Sequence, residues 1–137
     1  MKTLIYALSF VFAIVGAEAA LAAKDSPVEV PGAQTVDAAT AKQLFDKGVT
    51  FVDVRKDSDF EAGRVPGAHH LELKKVFTDE SLGKVASKGG EVVIYCNGHS
   101  CMRSSKAAAQ AVEWGYSKVY YFRDGMPAWQ SAGFPVE

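Results

Sequence analysis

Apolar and polar positions change period along the chain, and the changes mark its elements. Residues 91–96, Glu-Val-Val-Ile-Tyr-Cys, are the clearest continuous apolar run, the pattern of a strand buried on both faces of a parallel sheet. Residues 49–54, Val-Thr-Phe-Val-Asp-Val, and 118–122 repeat it, and 69–73 predict a brief strand after the turn signal Val65-Pro66-Gly67-Ala68. Helical stretches alternate with these runs. Asp37 caps a helix over 38–47 that puts Leu44 and Phe45 on its apolar side and stops at Gly48. Ser58-Asp59-Phe60-Glu61 has capping-box spacing and predicts one short turn ending at Gly63. Residues 74–86 predict a helix that Gly83 weakens. Residues 104–114 form an Ala-rich helix closed by Gly115, and 127–132 a short terminal one. Strands alternating with helices imply an α/β fold, a central parallel sheet of about five strands with helices on both faces.

The first residues do not fit that pattern. Lys2 supplies a positive start, Leu4 onwards is apolar to Val15, and small residues follow in Gly16-Ala17-Glu18-Ala19-Ala20-Leu21-Ala22. Together these describe a secretory signal peptide over 1–22, cut after Ala22 or, as the alternative, after Ala19. An uncut anchor fits less well, because the apolar run is short for a bilayer and no basic cluster follows it. Residues 23–34, with Pro27, Pro31 and Gly32, read as an extended leader, and 35–137 as the folded domain. The expected location is the periplasm, with no membrane attachment after cleavage.

Composition narrows the chemistry. At 137 residues there is room for one ordinary domain, and 48% hydrophobic with 23% charged residues requires a packed core. Fifteen basic against sixteen acidic side chains remove the electrostatic reason to expect nucleic acid as partner. Two cysteines are too few for a disulfide scaffold or a four-cysteine zinc site.

Those two cysteines lie where an open parallel sheet binds ligands, beyond the carboxyl ends of its strands. Cys96 ends the most apolar run, and Asn97-Gly98-His99-Ser100-Cys101-Met102-Arg103 leads into the Ala-rich helix at Ser104. Backbone N–H groups at a helix start favour an anion, and Arg103 adds a permanent charge with a fork of donors. A cysteine there is expected to have a lowered pKa and to be nucleophilic.

The sequence at this point resembles a single rhodanese domain over most of the chain after residue 22. Phe51-Val52-Asp53-Val54-Arg55 matches the family's early Asp-x-Arg strand. Phe60-Glu61-Ala62-Gly63-Arg64-Val65-Pro66-Gly67-Ala68 matches its Gly-His-Ile-Pro-Gly-Ala segment, with Arg64 in place of the usual His. Val92 to Cys96 resembles the strand that delivers the catalytic cysteine, and Arg103-Ser104-Ser105-Lys106-Ala107-Ala108 the helix behind it. Gly125-Met126-Pro127-Ala128-Trp129, followed by Gly133-Phe134-Pro135-Val136, resembles the closing motif. The resemblance implies sulfurtransferase chemistry with Cys96 and Arg103 catalytic and residues 97–102 with Ser104 as the substrate-binding loop. A thiolate takes a sulfane sulfur from thiosulfate or a similar anionic donor, sulfite leaves, and a thiophilic acceptor collects the sulfur from the persulfide. No metal or cofactor is called for.

Several residues depart from that pattern or carry a second reading. Six residues separate Cys96 from Arg103, against four in the common sulfurtransferase loop and five in the phosphatase relatives, so the cradle is expected to differ in shape. Cys101 is the alternative nucleophile, a resolving thiol that attacks a Cys96 persulfide, or the partner in a disulfide that requires the loop to fold back. His99 between them invites a copper or zinc reading with His69 or His70, but two sulfurs and one imidazole fall short of a closed site. Asp53 and Arg55 are supporting residues: Arg55 at a strand end either helps bind an anion or, as favoured here, braces the loops through an ion pair with an acidic neighbour such as Glu61. The function classes that compete with sulfur transfer are a thiol–disulfide or sulfur-carrier protein using both cysteines and a non-catalytic anion- or metal-binding module.

Overall fold

The strands with the most apolar sequence lie at the centre of the sheet. A computed structural model describes residues 25–137; the signal peptide expected over 1–22 lies outside the described residues. The strands are β1 (Ala33–Thr35), β2 (Thr50–Asp53), β3 (His69–His70), β4 (Glu91–Tyr95) and β5 (Lys118–Phe122), all parallel in the order β1-β5-β4-β2-β3. Successive side chains of a strand point to opposite faces, so each strand feeds two cores. Val52, Val92, Ile94, Val119 and Tyr121 pack on one face with Leu82 of α3 (Asp79–Gly83) and Ala107, Ala108 and Ala111 of α4 (Arg103–Glu113). Phe51, Val93, Tyr95 and Phe122 pack on the other with Ala41 and Leu44 of α1 (Ala38–Asp46) and Met126 and Trp129 of α5 (Gly125–Ser131). The expected α/β architecture with helices on both faces is therefore present.

Local chemistry explains where elements begin. Asp37 caps α1, its carboxylate accepting the Thr40 N–H at 2.8 Å. The expected capping by Ser58 is absent: α2 (Asp57–Ala62) starts after Lys56, which makes no side-chain cap, and Asp57 and Asp59 instead complement the helix dipole. The helix expected over 74–86 shrinks to α3. The N–H groups of Lys75, Val76 and Phe77 all turn back to the Glu72 carbonyl, and Thr78 and Ser81 then form a true capping box. Residues 74–77 thus belong to a loop that buries Phe77. The sheet's first strand, β1, begins inside the segment read as leader. Three residues are too short to show a period, and pairing with β5 defines this strand.

Trp129 anchors the second core. It is fully buried, with ring centroids of Phe45, Phe51, Phe122 and Phe134 5.1–6.4 Å away, and its indole N–H donates to the Pro135 carbonyl at 2.7 Å. Trp129→Ala is expected to lower stability by about 3–5 kcal/mol, the range for removing a large buried aromatic; urea unfolding checks it, and a loss under about 1 kcal/mol would mean the cluster does not hold α5.

Candidate active site

Cys96 follows the last residue of β4 and is 1% exposed, packed among the residues of the first core. The chain then turns back on itself. Gly98 takes φ 105°, and the Cys101 N–H donates to the Gly98 carbonyl at 3.0 Å. That reversal brings Cys101 to Cys96, and the two form a disulfide with Cα atoms 6.3 Å apart. The possibility that the loop folds back is the one realised. Met102 ends the loop without a side-chain cap, and α4 starts at Arg103, so the first N–H groups of that helix have no intrahelical acceptor.

The turn after β5 forms the wall of this loop. The Met126 N–H donates to the Cys96 carbonyl at 2.9 Å. A Cβ on Gly125 would lie 2.3 Å from that carbonyl oxygen and 2.9 Å from the Gly98 nitrogen, and Gly125 holds φ 60°. Both facts require glycine here. Next to it, Asp124 pairs with the exposed His99 ring. A third segment closes the outer side: the Ser26 N–H donates to the His99 carbonyl at 2.6 Å, and Arg123 donates to the Ser26 carbonyl at 2.8 and 3.2 Å. The residues before β1 are therefore docked across the cysteine loop, with the Tyr121 hydroxyl donating to the Pro27 carbonyl.

Two buried ion pairs fix the neighbouring strand ends. Arg55 donates through Nε and Nη2 to the Asp53 carboxylate, through Nη2 to the Gly63 carbonyl and through Nη1 to Asn97. Its brace is Asp53, two residues back, and not Glu61, which is exposed. Burial alone would weaken the charge on Arg55, but the bonds to Asp53 outweigh it and hold the guanidinium more firmly protonated than usual. Asn97 relays the brace outward by donating to Asp59 at 2.9 Å. Arg103 is braced through one nitrogen: its Nη1 bonds Glu72, which is nearly fully buried, and the Val54 carbonyl at 3.3 Å. Burial alone would raise the Glu72 carboxyl, yet the Arg103 charge and the N–H groups of Lys75 and Lys74 hold it below its ordinary value.

The remaining expected residues divide. Ser100 and Met102 are exposed on the loop, whereas Ser104 is buried with no partner for its hydroxyl among the described residues. His69 is exposed; His70 stacks on Phe60 at 4.3 Å and bonds the Arg55 carbonyl. Neither imidazole is part of the cysteine loop's contacts, and among the described residues no group of three His, Cys, Asp or Glu is placed to hold a metal. Sequence reasoning missed Glu72, Asp124, Gly125 as a contact, and Ser26. Only Gly125 carried a signal, as the first residue of the Gly-x-x-x-Trp motif.

Comparison with known proteins identifies the family and the fold. Residues 37–132 match the rhodanese-like domain family. A mitochondrial protein of Arabidopsis thaliana named HIGH ARSENIC CONTENT 1 is 30% identical over 85% of this chain and 73% of its own. The thiosulfate sulfurtransferase GlpE of Pseudomonas aeruginosa is 30% identical over 71% of this chain and 83% of its own. The solution structure of the rhodanese-like domain of an Anabaena protein superposes with a TM-score of 0.65 at 24% identity, covering 75% of this chain and 77% of that one.

Gly125→Ala is expected to lose about 2–4 kcal/mol of stability, since it combines a left-handed backbone with a clash against backbone atoms; denaturant unfolding checks it, and a loss under about 0.5 kcal/mol would contradict the contact. Glu72 supplies a pH dependence of known sign. A carboxyl lowered in the folded state stabilises above its unfolded value near 4.5, and that contribution is lost as pH falls through the lower folded value. Stability measured from about pH 7 downward should therefore drop below about pH 4.5, and Glu72→Gln should be less stable at neutral pH and flatten the drop.

Proposed function

The chain belongs to the rhodanese-like domain family, and from that membership we propose that it is a sulfurtransferase whose Cys96 carries sulfane sulfur as a persulfide. The observation that carries the proposal is the placement of Cys96: it directly follows the central strand, and its loop leads into the start of α4. The thiosulfate sulfurtransferase among its relatives supports the same chemistry. With the disulfide reduced, the Cys96 thiolate attacks the outer sulfur of thiosulfate or a similar donor. The donor's S–S bond breaks, sulfite leaves with the electron pair, and Cys96 holds the transferred sulfur until a thiophilic acceptor takes it. The helix start stabilises the anionic species at each stage. Arg103 acts by position, since Glu72 holds it across the start of α4.

The proposal extends to place and donor. The N-terminal signal pattern supports export to the periplasm, where the domain over 35–137 would meet small anionic sulfur compounds. The longer loop between Cys96 and Arg103 leaves room for a donor other than thiosulfate. A second reading is favoured by the disulfide itself: a protein with its two cysteines bonded is also fitted to shuttle between dithiol and disulfide.

The deciding experiment is an intact mass of the reduced protein before and after thiosulfate. A gain of one sulfur atom that vanishes in Cys96→Ser is expected, with loading slowed about ten- to a hundredfold in Arg103→Ala. A gain retained in Cys96→Ser would move the nucleophile to Cys101. No gain in a protein with both thiols free, tested with thiosulfate and polysulfide, would remove sulfur transfer and leave the redox reading.

A further inference from the structure

Cys96 and Cys101 share a disulfide but not an environment. Cys96 is 1% exposed, with Met126 bonded to its carbonyl and Gly125 filling the space beside it. Cys101 is half-buried and sits between the exposed Ser100 and Met102. Exchange requires a thiolate to reach one sulfur of the pair, and access decides which. Of the two residues, Cys101 is the more exposed, although it also packs against the first core.

A charged surface lies beyond Arg103. A cleft of about 410 Å³ is lined by Lys56, Ser58, Lys74, Lys75 and Arg103, with the carboxylates of Asp57 and Glu72. Glu72 is taken by Arg103 and Asp57 by Lys75. Lys56 and Lys74 pair with no carboxylate among the described residues. Arg103, two residues after Cys101 in the chain, is part of that lining, and a net positive cleft raises the local concentration of anions.

We propose that a small carboxylate-bearing thiol opens the disulfide by attack on Cys101 Sγ, with its carboxylate drawn to Lys56 and Lys74. The attacking sulfur bonds to Cys101 Sγ, the Cys96–Cys101 bond breaks, and Cys96 leaves as the thiolate with the electron pair. Cys101 is thus a thiolation site, and Cys96 is freed as a thiolate at the beginning of the loop that leads into α4. A second thiolate then attacks the external sulfur of the mixed disulfide and releases the Cys101 thiolate. Two external thiols become one disulfide, and the protein's pair is reduced.

The test uses the oxidised protein and glutathione, quenched with acid at early times, alkylated and mapped by peptide mass spectrometry. Glutathione on Cys101 with the alkyl group on Cys96 is expected in at least about tenfold excess over the reverse. The reverse arrangement, or equal amounts at the earliest times, overturns entry at Cys101. At low ionic strength and equal thiolate concentration, glutathione should react about tenfold faster than the cationic thiol cysteamine, and the Lys56→Gln, Lys74→Gln double variant should remove the difference. Equal rates in the unaltered protein overturn the anionic class. No sulfur donor is present in either assay, so their outcome is separate from whether Cys96 forms a persulfide.

Discussion

The contact between the Met126 N–H and the Cys96 carbonyl is the one on which the rest of the site depends. It joins the end of the central strand to the start of the last helix, and it is possible only because position 125 has no side chain. Each neighbouring feature follows from it. Gly98 can turn the loop back because its own nitrogen lies against Gly125. Cys101 then reaches Cys96, and Asp124 comes level with His99. A rigid scaffold holding a functional loop is the usual division of labour in α/β folds, and here the Met126 peptide hydrogen bond is one of the links that connect the two.

Charge is arranged around that loop so that both nearby arginines are braced by carboxylates. Asp53 and Glu72, both buried, hold Arg55 and Arg103 at adjacent strand ends. Removing either partner would leave an uncompensated buried charge, which is why such pairs impose geometry more than they add net stability. Their effect is to brace Val54, Gly63 and Asn97, the backbone and side chain next to the cysteine loop. Positive charge available to a ligand is displaced outward onto Lys56 and Lys74.

Most of the scaffold was legible in the sequence because burial on both faces writes itself as uninterrupted apolar residues. The runs at 49–54, 91–96 and 118–122 became β2, β4 and β5, and Asp37 capped α1 as its side chain predicts. What escaped had a different physical origin. β1 is three residues whose identity is irrelevant to a ladder made by backbone groups. The loop at 74–77 looked helical because its carbonyl acceptor, Glu72, lies outside the periodic stretch. In the site, local spacing placed Cys96, Cys101 and Arg103 together, but the partners of Arg103 and His99 come from 31 and 25 residues away, a distance that no single-sequence pattern encodes.

The docking of Ser26 across the cysteine loop separates two kinds of closeness. Cys96 and Cys101 are five residues apart in the chain, whereas Arg123 reaches the Ser26 carbonyl across 97 residues. Closing a short loop costs little chain entropy and needs no other part of the protein, while a contact spanning nearly the whole domain forms only once both ends of the chain are in place. The covalent bond is therefore a local event open to a nascent or unfolded chain. Its shelter, which makes one sulfur inaccessible and leaves the other within reach, is a property of the finished molecule. The two cysteines become chemically unlike each other only when the first core and the turn at Gly125 close around Cys96.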